Sequence, residues 1–145
     1  MKVFFDTTVL VAASTATHPH YAQAFPPLRR VFTSQDQGFI SAHSLAEVYS
    51  VLTRLPLVPR IHPAEAELFI TNNILPHFEA VTLSKTDYVE VLGLAKNGGW
   101  LGGKIYNALV LRCTAKCSAD RIYTFNVVDF RILAPGGLAA KICAP

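Results

Sequence analysis

Four short apolar segments, Lys2–Phe5, Gly38–Ala42, Glu79–Leu83 and Arg121–Phe125, recur along the chain with helical stretches between successive pairs. Their β-branched and aromatic residues suit strands buried on both faces, which lack the alternation of half-exposed strands. Strands separated by helices pair in parallel, because only a long crossover carries the chain back to the same end of a sheet. The order predicts an α/β fold, a three-layer α/β/α sandwich around a central, mostly parallel sheet. A chain of 145 residues supports one good core, so a single domain over residues 1–145 is expected. With 51% hydrophobic and 16% charged residues, disorder is excluded as the general state.

The connecting segments fix where helices begin and end. Thr7 and Thr8 open a short helix after the first strand. His18 to Ser34 is broadly helical, with a break expected at Pro26-Pro27. Ser44 to Leu55 is the clearest amphipathic helix, with Leu45, Val48, Leu52 and Leu55 on one stripe and Pro56 and Pro59 beyond its end. Pro63 to Leu75 and Ser84 to Asn97 are further helices, the latter with Ser84 as cap and Asp87 in the capping-box position. Four glycines, Gly98, Gly99, Gly102 and Gly103, make a loop around Trp100. Lys104 to Cys117 is apolar around most of its circumference and reads as a central, largely buried helix. Arg112 and Lys116 share one of its faces, and Asn107 and Thr114 roughly the opposite one. Asn126 to Phe130 reads as a turn or short helix, and Ile132-Leu133 as a last strand.

Three cysteines in an apolar chain of this length call for no disulfide framework, and a reducing cytoplasmic setting is the simplest. Cys113 and Cys117, one turn apart, read as small helix residues, since no second Cys/His pair matches their spacing. The apolar start MKVFFDTTVL is short and interrupted by Asp6, so no signal peptide is expected; no run of about 18 apolar residues marks a membrane span. The net charge of +3 permits an anionic partner without demanding one.

Acids are scarce, 10 in the chain, so one placed at the end of an apolar strand needs a reason. In open parallel sheets ligands bind beyond the carboxyl ends of the strands. Asp6 follows the first strand, Asp129 the fourth, and Glu47 rides the helix entered from the second. If these three converge they repel unless a cation lies between them, and hard ions such as Mg²⁺ or Mn²⁺ favour that setting and activate water against phosphodiesters. Each also has a plain structural reading: Asp6 as cap of the first helix, Glu47 paired with Arg54 on the same helix face, Asp129 as cap of a turn. His43 reads as a neighbour of the helix cap, and Trp100 as packing for its loop.

The segments D-T-T-V-L, A-E-V-Y-S-V-L-T-R, G-G-K-I-Y-N-A-L-V-L and Y-T-F-N-V-V-D-F, in that order, resemble a PIN domain. The chain is most similar to VapC-type toxins, from about Val3 to Leu133. The resemblance implies a Mg²⁺- or Mn²⁺-dependent endoribonuclease, a homodimer, a small antitoxin that blocks the site, and RNA as substrate in the cytoplasm. Carried over by position, it implies that Asp6, Glu47 and Asp129 are the first, second and fourth family acids. Thr8 and Thr124 match the hydroxyls that flank the site, and Asn126 a position held by an acid in some members. Arg54 and Lys104 stand where they could bind phosphates.

The third family acid belongs at the position of Asn107. Asparagine has nearly the shape of aspartate but no charge, and no Asp or Glu occurs between Glu90 and Asp120 to replace it. Asn107 is therefore an engineered replacement, a natural residue with a weaker metal site or another base, or the mark of a domain that binds RNA or protein without cutting.

Overall fold

The computed structural model describes residues Met1–Pro145. Five strands form one sheet: β1 (Lys2–Phe5), β2 (Gln37–Ser41), β3 (Phe78–Val81), β4 (Arg121–Tyr123) and β5 (Ile142–Cys143). Their order is β3-β2-β1-β4-β5 and every pairing is parallel. Phe4 lies opposite Phe39 on one side and Ile122 on the other, so β1 is the central strand.

Side-chain alternation along β1 feeds two cores. Val3 and Phe5 point into the larger one, with α1 (Thr7–Ser14), α2 (Tyr21–Phe32), α3 (Ala42–Arg54), α4 (Pro63–Phe69) and the π-helical turn Ile70–Ile74 that continues it. Phe4 points into the other, with Leu111 and Cys113 of α6 (Lys104–Lys116) and Phe130 and Leu133 of α7 (Val127–Leu133). All three β1 side chains are fully buried, each stabilising the fold by about 1.5–3 kcal/mol. The α/β/α sandwich is thus the architecture observed. Helix α5 (Lys85–Gly98) packs on α6, and its Ser84/Asp87 capping box forms as the sequence indicates.

Asp87 does more than cap. It accepts bonds from Arg112 Nε and Lys116 Nζ, both at 2.8 Å, which ties the shared cationic face of α6 to α5. Arg112 also pairs with Glu90. These cations, with Lys116 leading, hold the Asp87 carboxyl well below the usual carboxylate range.

Several local expectations are corrected. Helix α2 runs unbroken through Pro26 and Pro27, because Ala24, Pro27, Leu28 and Val31 form a buried stripe whose packing outweighs the lost amide donors. Ile132-Leu133 is the last turn of α7, where Leu133 is buried in the second core; the fifth strand comes later, at Ile142–Cys143. Helix α6 is less enclosed than its apolar sequence suggests, with Lys104, Tyr106, Ala115 and Lys116 exposed. Trp100 packs against the second core, as a loop anchor.

Candidate active site

The chain runs from β1 to β2 and β3 on one side, then returns to β4 and β5 on the other, so the connections reverse direction between β1 and β4. Such a switch point opens a crevice at the carboxyl ends of the two strands. Asp6 follows β1 there and Thr124 follows β4. A cleft of about 600 Å³ lies at this end, lined by Asp6, Thr7, Thr8, Glu47, Arg54, Asn107 and Asn126 among others.

Asp6 occupies the N-cap position of α1, yet its side chain makes no capping bond. Instead its Oδ2 accepts from Thr8 Oγ1 at 2.8 Å and from Thr124 Oγ1 at 2.9 Å. Each hydroxyl in turn accepts a backbone N–H, Thr8 from Phe125 and Thr124 from Asn126. A hydroxyl that accepts from an amide directs its own proton elsewhere, and here both protons go to Asp6. Oδ1 is left without a side-chain donor. Burial nevertheless dominates: with 6% exposure the Asp6 carboxyl is pushed above its ordinary pKa, against the two threonine bonds and with a further push from the Glu47 charge. Of the two readings left open by the sequence, capping is therefore not what the Asp6 side chain does.

Glu47 reaches the cleft from α3. Its Oε2 accepts from Thr7 Oγ1 at 2.6 Å, and Oε1 lies 3.5 Å from His43 Nε2, one turn earlier. Arg54 lines the cleft on the same helix and makes no ion pair, with Glu47 or any other acid. His43 is also a cap neighbour, its backbone N–H donating to Ser41 Oγ at the start of α3. Asn107 lines the cleft from the first turns of α6, and Asn126 from the turn before α7.

Three sequence-derived candidates are not part of this lining: Thr124 is fully buried and reaches the site only through its bond to Asp6, and the other two are Asp129 and Lys104. Asp129 is exposed on α7, about one turn beyond Asn126, and Lys104 is exposed at the start of α6. The turn that follows β4 delivers Thr124 to Asp6 and Asn126 to the cleft lining, whereas Asp129, in the first turn of α7, is exposed and outside that lining. In the other direction, sequence reasoning missed Thr7, His43 as a partner of Glu47, and Tyr106. The His43/Glu47 spacing of four on a helix was an available signal; nothing in the sequence marked Tyr106.

The donors of the cleft suit a hard cation. Two carboxylates, Asp6 and Glu47, line the cleft together with Asn107 and Asn126, whose side chains each carry one amide oxygen. No three His, Cys, Asp or Glu side chains cluster closely enough to enclose an ion. Mg²⁺ commonly takes one or two protein carboxylates and completes its shell with water and substrate phosphate oxygens. The residues present fit an ion held in that way.

The model of the PIN domain family matches residues 3–132. Ribonuclease VapC27 of Mycobacterium tuberculosis is 30% identical over 116 residues, covering 79% of this chain and 78% of that protein. Ribonuclease VapC40 of the same species is 31% identical over 82% of each. Among solved structures, the fold is similar to that of VapC20 of M. tuberculosis, a sarcin–ricin loop cleaving toxin, with a TM-score of 0.67 at 14% identity over 88% of this chain and 92% of that one. It is also similar to VapBC2 from Rickettsia felis bound to a DNA fragment from their promoter, with a TM-score of 0.63 at 18% identity over 91% and 93%.

Proposed function

The chain belongs to the PIN domain family, and on that premise we propose that it is a Mg²⁺- or Mn²⁺-dependent endoribonuclease, the toxin of a VapBC-type toxin–antitoxin pair. The observation that carries this reading is Asp6: a buried carboxylate at the switch point, kept as an acceptor by two committed threonine hydroxyls, with Glu47 in the same cleft. A fold does not bury a charge at the mouth of a crevice for stability; the arrangement suits a cation site.

In this reading Asp6 and Glu47 hold the ion, with amide oxygens from Asn107 and Asn126. The ion supplies an activated water and neutralises charge on the phosphoryl oxygens. Thr8 and Thr124 position Asp6. Thr7 positions Glu47. Arg54, free of any acid partner, binds a phosphate of the RNA. Lys104, exposed at the start of α6, extends the phosphate track beyond the cleft, and Asp129 keeps the family's fourth acid position from α7. Asn107 in place of an acid weakens the metal site and with it the activity of this chain.

The test is cleavage of labelled RNAs of varied structure with Mn²⁺ or Mg²⁺. Activity is expected to require the metal, to vanish in Asp6→Ala and to rise in Asn107→Asp. Silence of Asn107→Asp across metals and RNAs would overturn the nuclease reading. A second reading, RNA or protein binding without catalysis, is favoured by one observation: the cleft lining holds only two carboxylates. Calorimetric titration with Mn²⁺ separates the two, since a non-catalytic domain predicts no binding to either form.

The same reading includes a small antitoxin, a homodimer and a cytoplasmic location. Exposed apolar side chains on α5 (Val89, Leu92) and α7 (Val128, Ile132) supply surface for protein partners. No helix is long and apolar enough to cross a membrane.

A further inference from the structure

We infer that a hollow on α2, at the other end of the sheet from the acids, is a second contact for RNA and holds one nucleotide of a strand that also occupies the cleft. This rests on the ribonuclease reading and adds to it a subsite outside the cleft. The hollow has a volume of about 350 Å³ and is lined by Phe25, Pro26, Arg29, Arg30, Thr33 and Gln35. It joins an aromatic ring to a guanidinium, which matches the flat base and anionic phosphate of a nucleotide. Phe25 is half-buried, and its ring stacks on that of Tyr21 one turn earlier, with centroids 5.0 Å apart and planes 21° apart. Arg29 follows one turn later, exposed and without an acid partner.

Arg30 is already committed. It donates to Asp36 from Nε at 2.6 Å and from one terminal nitrogen at 3.2 Å, and to Gln35 Oε1 from the other at 3.1 Å. It thereby supplies the cation that the carboxyl end of α2 favours, and it neutralises Asp36, whose side chain is only 3% exposed. Arg29 is left over for a phosphate. No Asp or Glu occurs between Asp6 and Asp36, so α1, α2 and the segment joining them present no carboxylate to repel a polyanion. Helix α2 also starts beside the cleft: the ring of His20 lies 4.8 Å from that of Phe125, the neighbour of Thr124 and Asn126. It ends near Gln37, where β2 begins, so the hollow lies toward the amino ends of the strands. From Tyr21 to Arg29 the helix advances about 12 Å, the length of about four stacked nucleotides. Only a longer strand reaches from the cleft to the hollow.

The test is fluorescence anisotropy in EDTA, where nothing is cut, with fluorescein-labelled oligouridylates of about four and about twenty nucleotides. The longer strand should bind at least about tenfold more tightly, and loss of the hollow should shrink that advantage. Arg29→Ala is expected to weaken binding of the longer strand about fivefold at 0.1 M salt and to reduce its salt slope by about 0.7, the effect of one phosphate contact. Phe25→Leu keeps apolar bulk against the core but has no flat face; it should weaken binding about tenfold and leave the slope unchanged. Thermal unfolding of each variant checks that the fold is intact, and the exposed Arg29 gives a variant that does not depend on the core. Unchanged affinity and slope in Arg29→Ala overturns the subsite. Loss in Arg29→Ala without loss in Phe25→Leu marks a bare anion contact, open to an acidic protein as well, and overturns the nucleotide assignment. If the unmodified chain cleaves RNA with metal while both variants bind normally, only the subsite falls. If it binds no RNA at all, the ribonuclease reading falls with it.

Discussion

Asn107→Asp adds a third carboxylate to a cleft that already holds Asp6 and Glu47, with almost no change of shape. Without metal the new charge is a burden. If the new carboxylate and one that shares this cleft were about 6 Å apart, an effective dielectric constant near 20 would give a repulsion of about 3 kcal/mol. Only Asp6 counts in full, because it is 6% exposed; the Glu47 side chain, 37% exposed, is screened by water. The cost is then about 2–3 kcal/mol, and the raised pKa of the buried Asp6 carboxyl acts to ease it. For 145 residues the unfolding entropy is about 0.3 kcal/mol per kelvin, so the Tm in EDTA should fall by about 7–10 °C. Mn²⁺ reverses this. At a hundred times its Kd a ligand adds about 2.7 kcal/mol to stability, which returns about 9 °C. The assay is thermal unfolding of both forms, in EDTA and across a Mn²⁺ series. An unchanged Tm in EDTA together with no rise in Mn²⁺ would refute the reasoning, because position 107 would then share neither field nor ligand with Asp6.

Asp6→Asn should abolish cleavage yet raise the Tm in EDTA, since the amide oxygen accepts both threonine hydroxyls and a buried charge is gone. The sign follows from burial: Asp6 has a raised pKa, so its ionised form opposes folding at neutral pH, and the opposition fades as pH falls through that raised value. Asp36 has the opposite sign. The Arg30 guanidinium, and secondarily the amino terminus of Met1, hold its carboxyl below the usual range. Its stabilisation is present above an unfolded pKa of about 4 and is lost as pH falls through the depressed value, so Asp36→Asn should lower the Tm at pH 7 with a difference that shrinks on acidification. Gly38→Ala would bring a Cβ within 2.6 Å of both Phe78 Cδ1 and Val31 Cγ1. Overpacking of that kind costs about 1–3 kcal/mol, so the urea midpoint should drop with the slope unchanged.

The sheet was legible because buried parallel strands are written as continuous apolar runs, and four of the five were of that kind. Ile142–Cys143 escaped notice because two residues carry no pattern. The Pro26-Pro27 pair misled because local propensity says nothing about the stripe that α2 buries. In the site, Asp6 was legible as an acid abruptly ending an apolar strand, and Glu47 and Asn107 by their place in segments resembling a known family. Whether Asp129 would face the cleft depended on the angle at which α7 leaves the turn, which spacing does not encode. Tyr106 was invisible for a similar reason: its stacked neighbour His43 lies on another helix, and ring orientation is a tertiary property.

The bond from Thr124 to Asp6 joins residues 118 apart in the chain, and β1 at the centre of the sheet waits for β4 from near its end. Synthesis at about 5–20 residues per second puts roughly 6–24 s between the appearance of Asp6 and that of Thr124. A nascent chain still attached at residue 100 has β1, β2 and β3 but no Asn107, no Thr124 hydroxyl and no second wall to the cleft. The site therefore comes into being only when translation is nearly complete. An unfinished copy stalled on its ribosome carries both acids of the cleft, Asp6 and Glu47, without the wall that completes it.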